Sequence, residues 1–145
     1  ISKNTALEDF FLLQGVPEDS EMKSKTITSS IPAVLRDLRL NDVISAKKLD
    51  GLTPFQETTI STFDGLKVTM LDYSFSDKSY TIFKINLENS QNELSEKSIN
   101  AAKTEIHNIK NRTEHWAYEI PTYKRRMINR KFSDLIKKKP EVDKL

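Results

Sequence analysis

The sequence predicts an α+β fold: an antiparallel β meander of about three to five strands, with helices packed on one face. Three observations predict it. Between Glu57 and Leu87, strand-like runs rich in Thr, Ile, Val, Tyr and Phe are separated by two polar breaks. The first break carries Asp64–Gly65, a pair suited to a tight hairpin, because both turn positions there need positive φ. Downstream, Ile99, Ala102, Ile106 and Ile109 recur at spacings of three and four, the stripe of an amphipathic helix. A chain of 145 residues has the length of about one domain. The expected organisation is a single domain over 1–145, a fragment of a longer chain, with a basic helical segment over 122–145.

Each element has its own local reason. Thr5 and Glu8 stand at capping-box spacing. Even so, the run Phe10–Leu13, closed by Gly15 and Pro17, reads as a short strand, followed by a polar loop over 18–26. A helix is expected from Ser30 as N-cap, with Pro32 in the first turn, where its missing N–H costs little. Ile31, Val34, Leu35 and Leu38 would form its apolar stripe. "DVISA" reads as a strand. "ETTISTF", "LKVTMLDYSF" and "YTIFKINLE" form the meander, with "SDKS" as the second turn. In the middle run, Leu66, Val68 and Met70 share one face, whereas Leu71, Tyr73 and Phe75 share the other. That switch predicts a bulge or a two-faced strand. The longest helix candidate is residues 89–116, with a gap at "NRTEH", supported by a Glu93–Lys97 pair at i, i+4. In "WAYEI", Trp116, Tyr118 and Ile120 alternate as a strand's inward face, and Pro121 ends it. One or two short helices follow, with Tyr123, Met127 and Ile128, then Phe132, Leu135 and Ile136, as inward anchors.

Charge singles out the last part. Residues 122–145 hold nine Lys/Arg against three Asp/Glu, a net +6; with an overall +2, residues 1–121 carry −4. If helical, this part displays Lys124, Arg125, Arg126, Arg130 and Lys131 over a broad arc. These five are the candidate contacts to an anionic partner. They suit a solvated helix, an anionic membrane surface at about 1 kcal/mol per basic residue, or nucleic-acid phosphates. Against nucleic acid stand the acidic remainder of the chain and the inward reading of the aromatics.

The residues point away from catalysis. With no cysteine, thiol chemistry and disulfides are excluded. His107 and His115, if on one helix, lie about 80° apart around the axis and about 12 Å along it, too far to share a metal ion. Gly15, Gly51 and Gly65 stand alone, so no glycine-rich phosphate loop forms, and no serine lies in a G-x-S-x-G setting. No apolar run approaches the roughly 20 residues of a membrane-spanning helix. The expectation is a non-enzymatic chain with no cofactor and no metal.

Four stretches carry a resemblance: "FFLLQGVPEDSEMKS", "AVLRDLRLNDVISAKKL", "TFDGLKVTML" and "WAYEIPTYKRRMINRKFSDLIKK". In that order, over roughly residues 7–138, they resemble the bacterial domain of unknown function 4340 family. Its pattern of an aromatic strand, Ile-Pro, an aromatic–Lys pair and a "DL" helix matches Trp116, Tyr118, Ile120–Pro121, Tyr123–Lys124 and Asp134–Leu135. The resemblance implies a membrane-anchored extracytoplasmic protein of the bacterial cell envelope, anchored by a segment outside this chain. It further implies a protein partner there and an accessory role in ABC-type transport related to gliding-motility components. It supplies no catalytic residues. The "KRRM" and "KKK" stretches are more basic than the family pattern.

Overall fold

A computed structural model describes residues 1–4, 7–63, 65–88 and 96–140, of which 96–99 and 102 are described by backbone alone. In chain order the elements are β1 (Ser20–Met22), α1 (Lys25–Ser30), β2 (Asp42–Ser45), β3 (Gln56–Ser61), β4 (Leu66–Phe75) and β5 (Lys78–Leu87). Then come α2 (Glu96–Thr113), β6 (Trp116–Glu119), α3 (Thr122–Ile128), α4 (Phe132–Leu135) and β7 (Ile136–Lys138). The fold is α+β, with a five-stranded antiparallel sheet ordered β2-β6-β5-β4-β3 and a two-stranded ribbon of β1 and β7. The chain divides into two compact units, Arg39–Pro121 and a unit joining Ile1–Leu38 to Thr122–Leu145.

In the sheet unit the predicted meander is present as β3, β4 and β5. Its first hairpin closes with Thr62 N–H donating to Leu66 O and Gly65 N–H donating to Thr62 O. Gly65 has φ +87°, a conformation that only glycine adopts without strain. Asp64 lies outside the described residues. The closure between Thr62 and Leu66 replaces the expected two-residue turn with a longer one ending in a left-handed glycine. The two-residue turn instead joins β4 to β5, where Ser76 and Asp77 both have positive φ, 50° and 61°.

The apolar switch in β4 is a two-faced strand. Its register with β5 runs unbroken from Leu66↔Leu87 to Phe75↔Lys78, so no bulge intervenes. One face carries Val68, Met70, Phe83, Ile85 and Tyr118, and α2 lies against it. There the Phe83 and Tyr118 rings meet at 6.0 Å, and Ile106 of α2 is buried. The other face gathers Tyr80, Ala117 and Leu49, with Ile44, Tyr73, Phe75 and Ile82 packed around them. Leu49 comes from a 3₁₀ turn, Ala46–Leu49. The long helix thus packs on one face, as expected, and the 3₁₀ turn reaches the centre of the other. The Glu93–Lys97 pair and the side chains of Ile99 and Ala102 lie outside the described residues.

Strand β6 corrects the inward reading of "WAYEI". Ala117 is fully buried and Ile120 nearly so, Tyr118 is half-buried, and Trp116 is 44% exposed. The period is that of a strand, but the buried side at its start is the small one. Ala117 lies beneath Leu49 and Tyr80, while Trp116 faces away, opposite Ser45 of the edge strand β2.

The second unit departs further from expectation. Phe10–Leu13 is not a strand; among the described residues its strand pairing is the single bridge from Ser2 to Leu12. Residues expected as loop supply β1 and the start of α1, whose N-cap Ser24 accepts from Ile27 N–H at 3.3 Å. The helix expected from Ser30 shrinks to a 3₁₀ turn, Pro32–Leu35, because Arg36 is extended and Asp37 turns left-handed at φ 51°. Val34 alone of its stripe is fully buried. Among the described residues the basic segment is helical over α3 and α4, after which β7 pairs with β1.

Candidate functional site

The basic residues of the terminal unit fall into two sets. The first set is tied to the chain itself. Lys124 Nζ donates to the Arg36 carbonyl at 2.7 Å and so caps the end of the 3₁₀ turn. Lys137 pairs with Glu21 at 3.0 Å across the β1–β7 ribbon, and Lys139 Nζ donates to Glu18 O at 2.8 Å. The "KKK" density thus meets the acidic stretch "EDSE". Arg125 is half-buried and engaged.

The second set is turned outward. Arg126 sits on the exposed side of α3, and Arg130 and Lys131 follow it, all three exposed. Asn129 N–H still donates to Arg125 O, so the helical course runs on past Ile128. Tyr123 and Arg126 stand at i, i+3 on α3, and Arg130 lies beyond the helix, in the short stretch before α4. Lys131 precedes α4, where the Asp134 carboxylate accepts from its backbone N–H at 3.3 Å and the Asp134 N–H donates to Lys131 O at 3.0 Å. Phe132 opens α4.

Two inward anchors are corrected here. Tyr123 is 60% and Phe132 42% exposed, while Ile128 and Leu135 fill the interior. Of the five candidate contacts, Arg126, Arg130 and Lys131 are exposed, and in the sequence they lie between the exposed Tyr123 and Phe132. Lys124 and Arg125 belong to the inner side. Both rings were invisible as surface features in the sequence, where i, i+4 spacing to Met127 and neighbours of Leu135 suggested burial.

The sheet unit holds a second polar cluster, joining three strands. Lys78 of β5 pairs with Glu119 of β6 at 2.9 Å and with Asp42 of β2 at 3.3 Å. Tyr80 OH donates to Asp42 Oδ2 at 2.9 Å. That hydrogen bond, with those from Val43 N–H and Lys78, holds the Asp42 carboxyl below its ordinary value. Glu119 first, then Asp42, keeps Lys78 protonated beyond its ordinary range. Burial, then the bond to Asp42, raises the Tyr80 hydroxyl. Every member is engaged with another, so the cluster clamps strands together.

Beside Trp116 lies an open recess of about 550 Å³, lined by Lys47, Asp50, Glu114 and His115 among others. His115 is strongly exposed beside Glu114, and His107 meets Asn111 on α2. Neither histidine joins a group of three metal-ligand side chains among the described residues. No described helix is long and apolar enough to cross a membrane. Comparison with protein-family models, curated proteins and solved structures returns no match for this chain.

Proposed function

We propose that this chain is a non-enzymatic interaction module of a membrane-anchored bacterial envelope protein, accessory to an ABC-type transport system, that engages an anionic partner through the α3–α4 segment. The observation that carries the anionic partner is the division of the basic residues. Lys124, Lys137 and Lys139 are spent on internal contacts, whereas Arg126, Arg130 and Lys131 are exposed. The exposed Tyr123 and Phe132 flank these cations in the sequence, and exposed aromatics together with Arg are the residue types that binding surfaces favour. Envelope setting and transport role rest on the ordered resemblance over residues 7–138.

Elution from immobilised heparin, a generic polyanion, tests the anionic face. The variant R126Q/R130Q/K131Q should elute at clearly lower salt than K47Q/K48Q/K84Q, which removes the same charge from exposed lysines of the sheet unit. Equal shifts would mean that net charge, not this segment, governs binding. Recovery of the full-length protein with the bacterial membrane fraction tests the setting.

A further inference from the structure

We infer that the free edge of β3 is a dimerisation surface, and that its partner is β3 of a second copy of this chain, laid antiparallel so that Thr59 faces Thr59 across a two-fold axis. β3 is the last strand of the five-stranded order, and among the described residues only β4 pairs with it. Its outward groups follow from the hairpin. Thr62 N–H donates to Leu66 O in the closing pair, and bonded and non-bonded pairs alternate along an antiparallel ladder. With the register running unbroken from Gln56↔Asp72 to Ser61↔Lys67, Ile60, Thr58 and Gln56 bond to β4. The N–H and C=O groups of Glu57, Thr59 and Ser61 therefore point away from β4, and all three residues are exposed.

A row of outward backbone groups is a template for another strand unless the edge is blunted by brevity, a bulge, proline or lysine. β2, at the opposite edge, is blunted. It has four residues, and Ala46 N–H bonds to His115 O, so alternation turns the N–H of Val43 outward. That N–H donates to Asp42 Oδ1 at 2.8 Å. β3 has six residues, no bulge within its register, no proline or lysine, and one charge, Glu57. Its sequence also fits itself. Pairing centred on Thr59 sets Glu57 of each copy opposite Ser61 of the other, so every outward group is used and the acid never meets its own counterpart. Thr59 Oγ1 lies 3.3 Å from Thr69 Oγ1, and the pairing extends that threonine row into the second molecule, a favourable cross-strand match. On the reverse face the half-buried Ile60 comes opposite Thr58 of the second copy. An extended peptide of another protein would use the same backbone groups; the self-match at Glu57 and Thr59 is what selects the second copy. One strand pair is a small interface, below the roughly 1,200 Å² of stable complexes, so the dimer is weak and concentration-dependent.

Sedimentation velocity of the full chain over a concentration series should show a monomer–dimer equilibrium. T59K sets two ammonium groups directly opposite each other and should abolish the dimer, whereas V43K, the same charge on the β2 edge, should leave it unchanged. The chain has no cysteine, so single introduced thiols read the register and keep the test decisive where a lysine variant misfolds. In T59C the paired Cα atoms stand about 5.5 Å apart, within reach of a disulfide. In E57C the two thiols are four residues out of step, about 13 Å along the strand. Under mild oxidation T59C should cross-link into a disulfide dimer and E57C should not. A wild-type chain that stays monomeric throughout the series, a dimer that survives T59K, or equal cross-linking at both positions overturns the proposal; the first of these outcomes leaves the edge to a strand of another protein.

Discussion

Replacing Lys124 by Met separates the structural cations from the exposed ones. Lys124 and Arg126 are two residues apart, carry the same charge and look equivalent in the sequence. In the fold, Lys124 Nζ is 2.7 Å from the carbonyl of Arg36, the residue that ends the Pro32–Leu35 turn above Val34. A hydrogen bond from a charged donor contributes about 1.5–3 kcal/mol, and a neutral one about 1. Lys124 is half-exposed, so water competes for both groups, which places the loss near the lower figure, about 1 kcal/mol. Methionine keeps the aliphatic stem and removes only the ammonium. For a chain of this size, about 1 kcal/mol corresponds to a fall in Tm of about 4 °C. Thermal melting followed by circular dichroism, run in parallel with heparin elution, measures both consequences. K124M should melt about 4 °C lower with nearly unchanged elution. R126Q should melt with the wild type and elute earlier. If K124M melts with the wild type and elutes as early as R126Q, the division of the basic residues into inner and outer sets is wrong.

Two further outcomes follow from the sheet unit. Ser76 and Asp77 both occupy the left-handed region that favours Asn and Gly, at a cost of roughly 1–2 kcal/mol for an ordinary side chain. S76N/D77G should raise the urea midpoint by the equivalent of about 1 kcal/mol, and an unchanged or lower midpoint would contradict a turn of this kind. Asp42 has a lowered pKa in the fold, so its contribution is present above its unfolded value of 3.8 and is lost as pH falls through the folded value. D42N should therefore be less stable at neutral pH and show a shallower loss of stability on acidification; an acid limb as steep as the wild type's would exclude Asp42 as a source of it.

What could be read in advance was local. The meander was legible because β3, β4 and β5 are adjacent in sequence, rich in β-forming residues and joined by short polar breaks. β6 was legible as a strand for the same reason. Which of its faces is buried was not, since alternation tells which residues share a side but not what lies over that side. Ala117 is buried because Leu49 and Tyr80 reach it, and Leu49 arrives from a turn 68 residues earlier. β7 was unreadable: "IKK" has no strand alternation of its own and is extended because Glu21 and Met22 pair with it. Near the N-terminus, intrinsic preference misled. Phe10–Leu13 has β-forming residues but a single bridging partner, and the stripe from Ile31 to Leu38 was cut short by the left-handed Asp37, which no periodicity reveals. At the candidate site, the sequence shows the charge but cannot tell Lys124 from Arg126, because the distinction depends on a carbonyl 88 residues away.

The pairing of β2 with β6 has a consequence for how this chain can be cut. Residues 39–121 enter through one strand and leave through its hydrogen-bonded neighbour, with Asn41 N–H donating to Glu119 O at 2.8 Å. The sheet unit is thus a cassette inserted into a discontinuous host, with its two ends side by side. Excised between Leu38 and Thr122, it keeps all five of its strands and the packing on both faces. The flanking pieces keep β1 beside β7, so a short linker in place of the cassette would rejoin them. A fusion partner could likewise be spliced in at the same point, which would present the α3–α4 segment on a scaffold of the experimenter's choice.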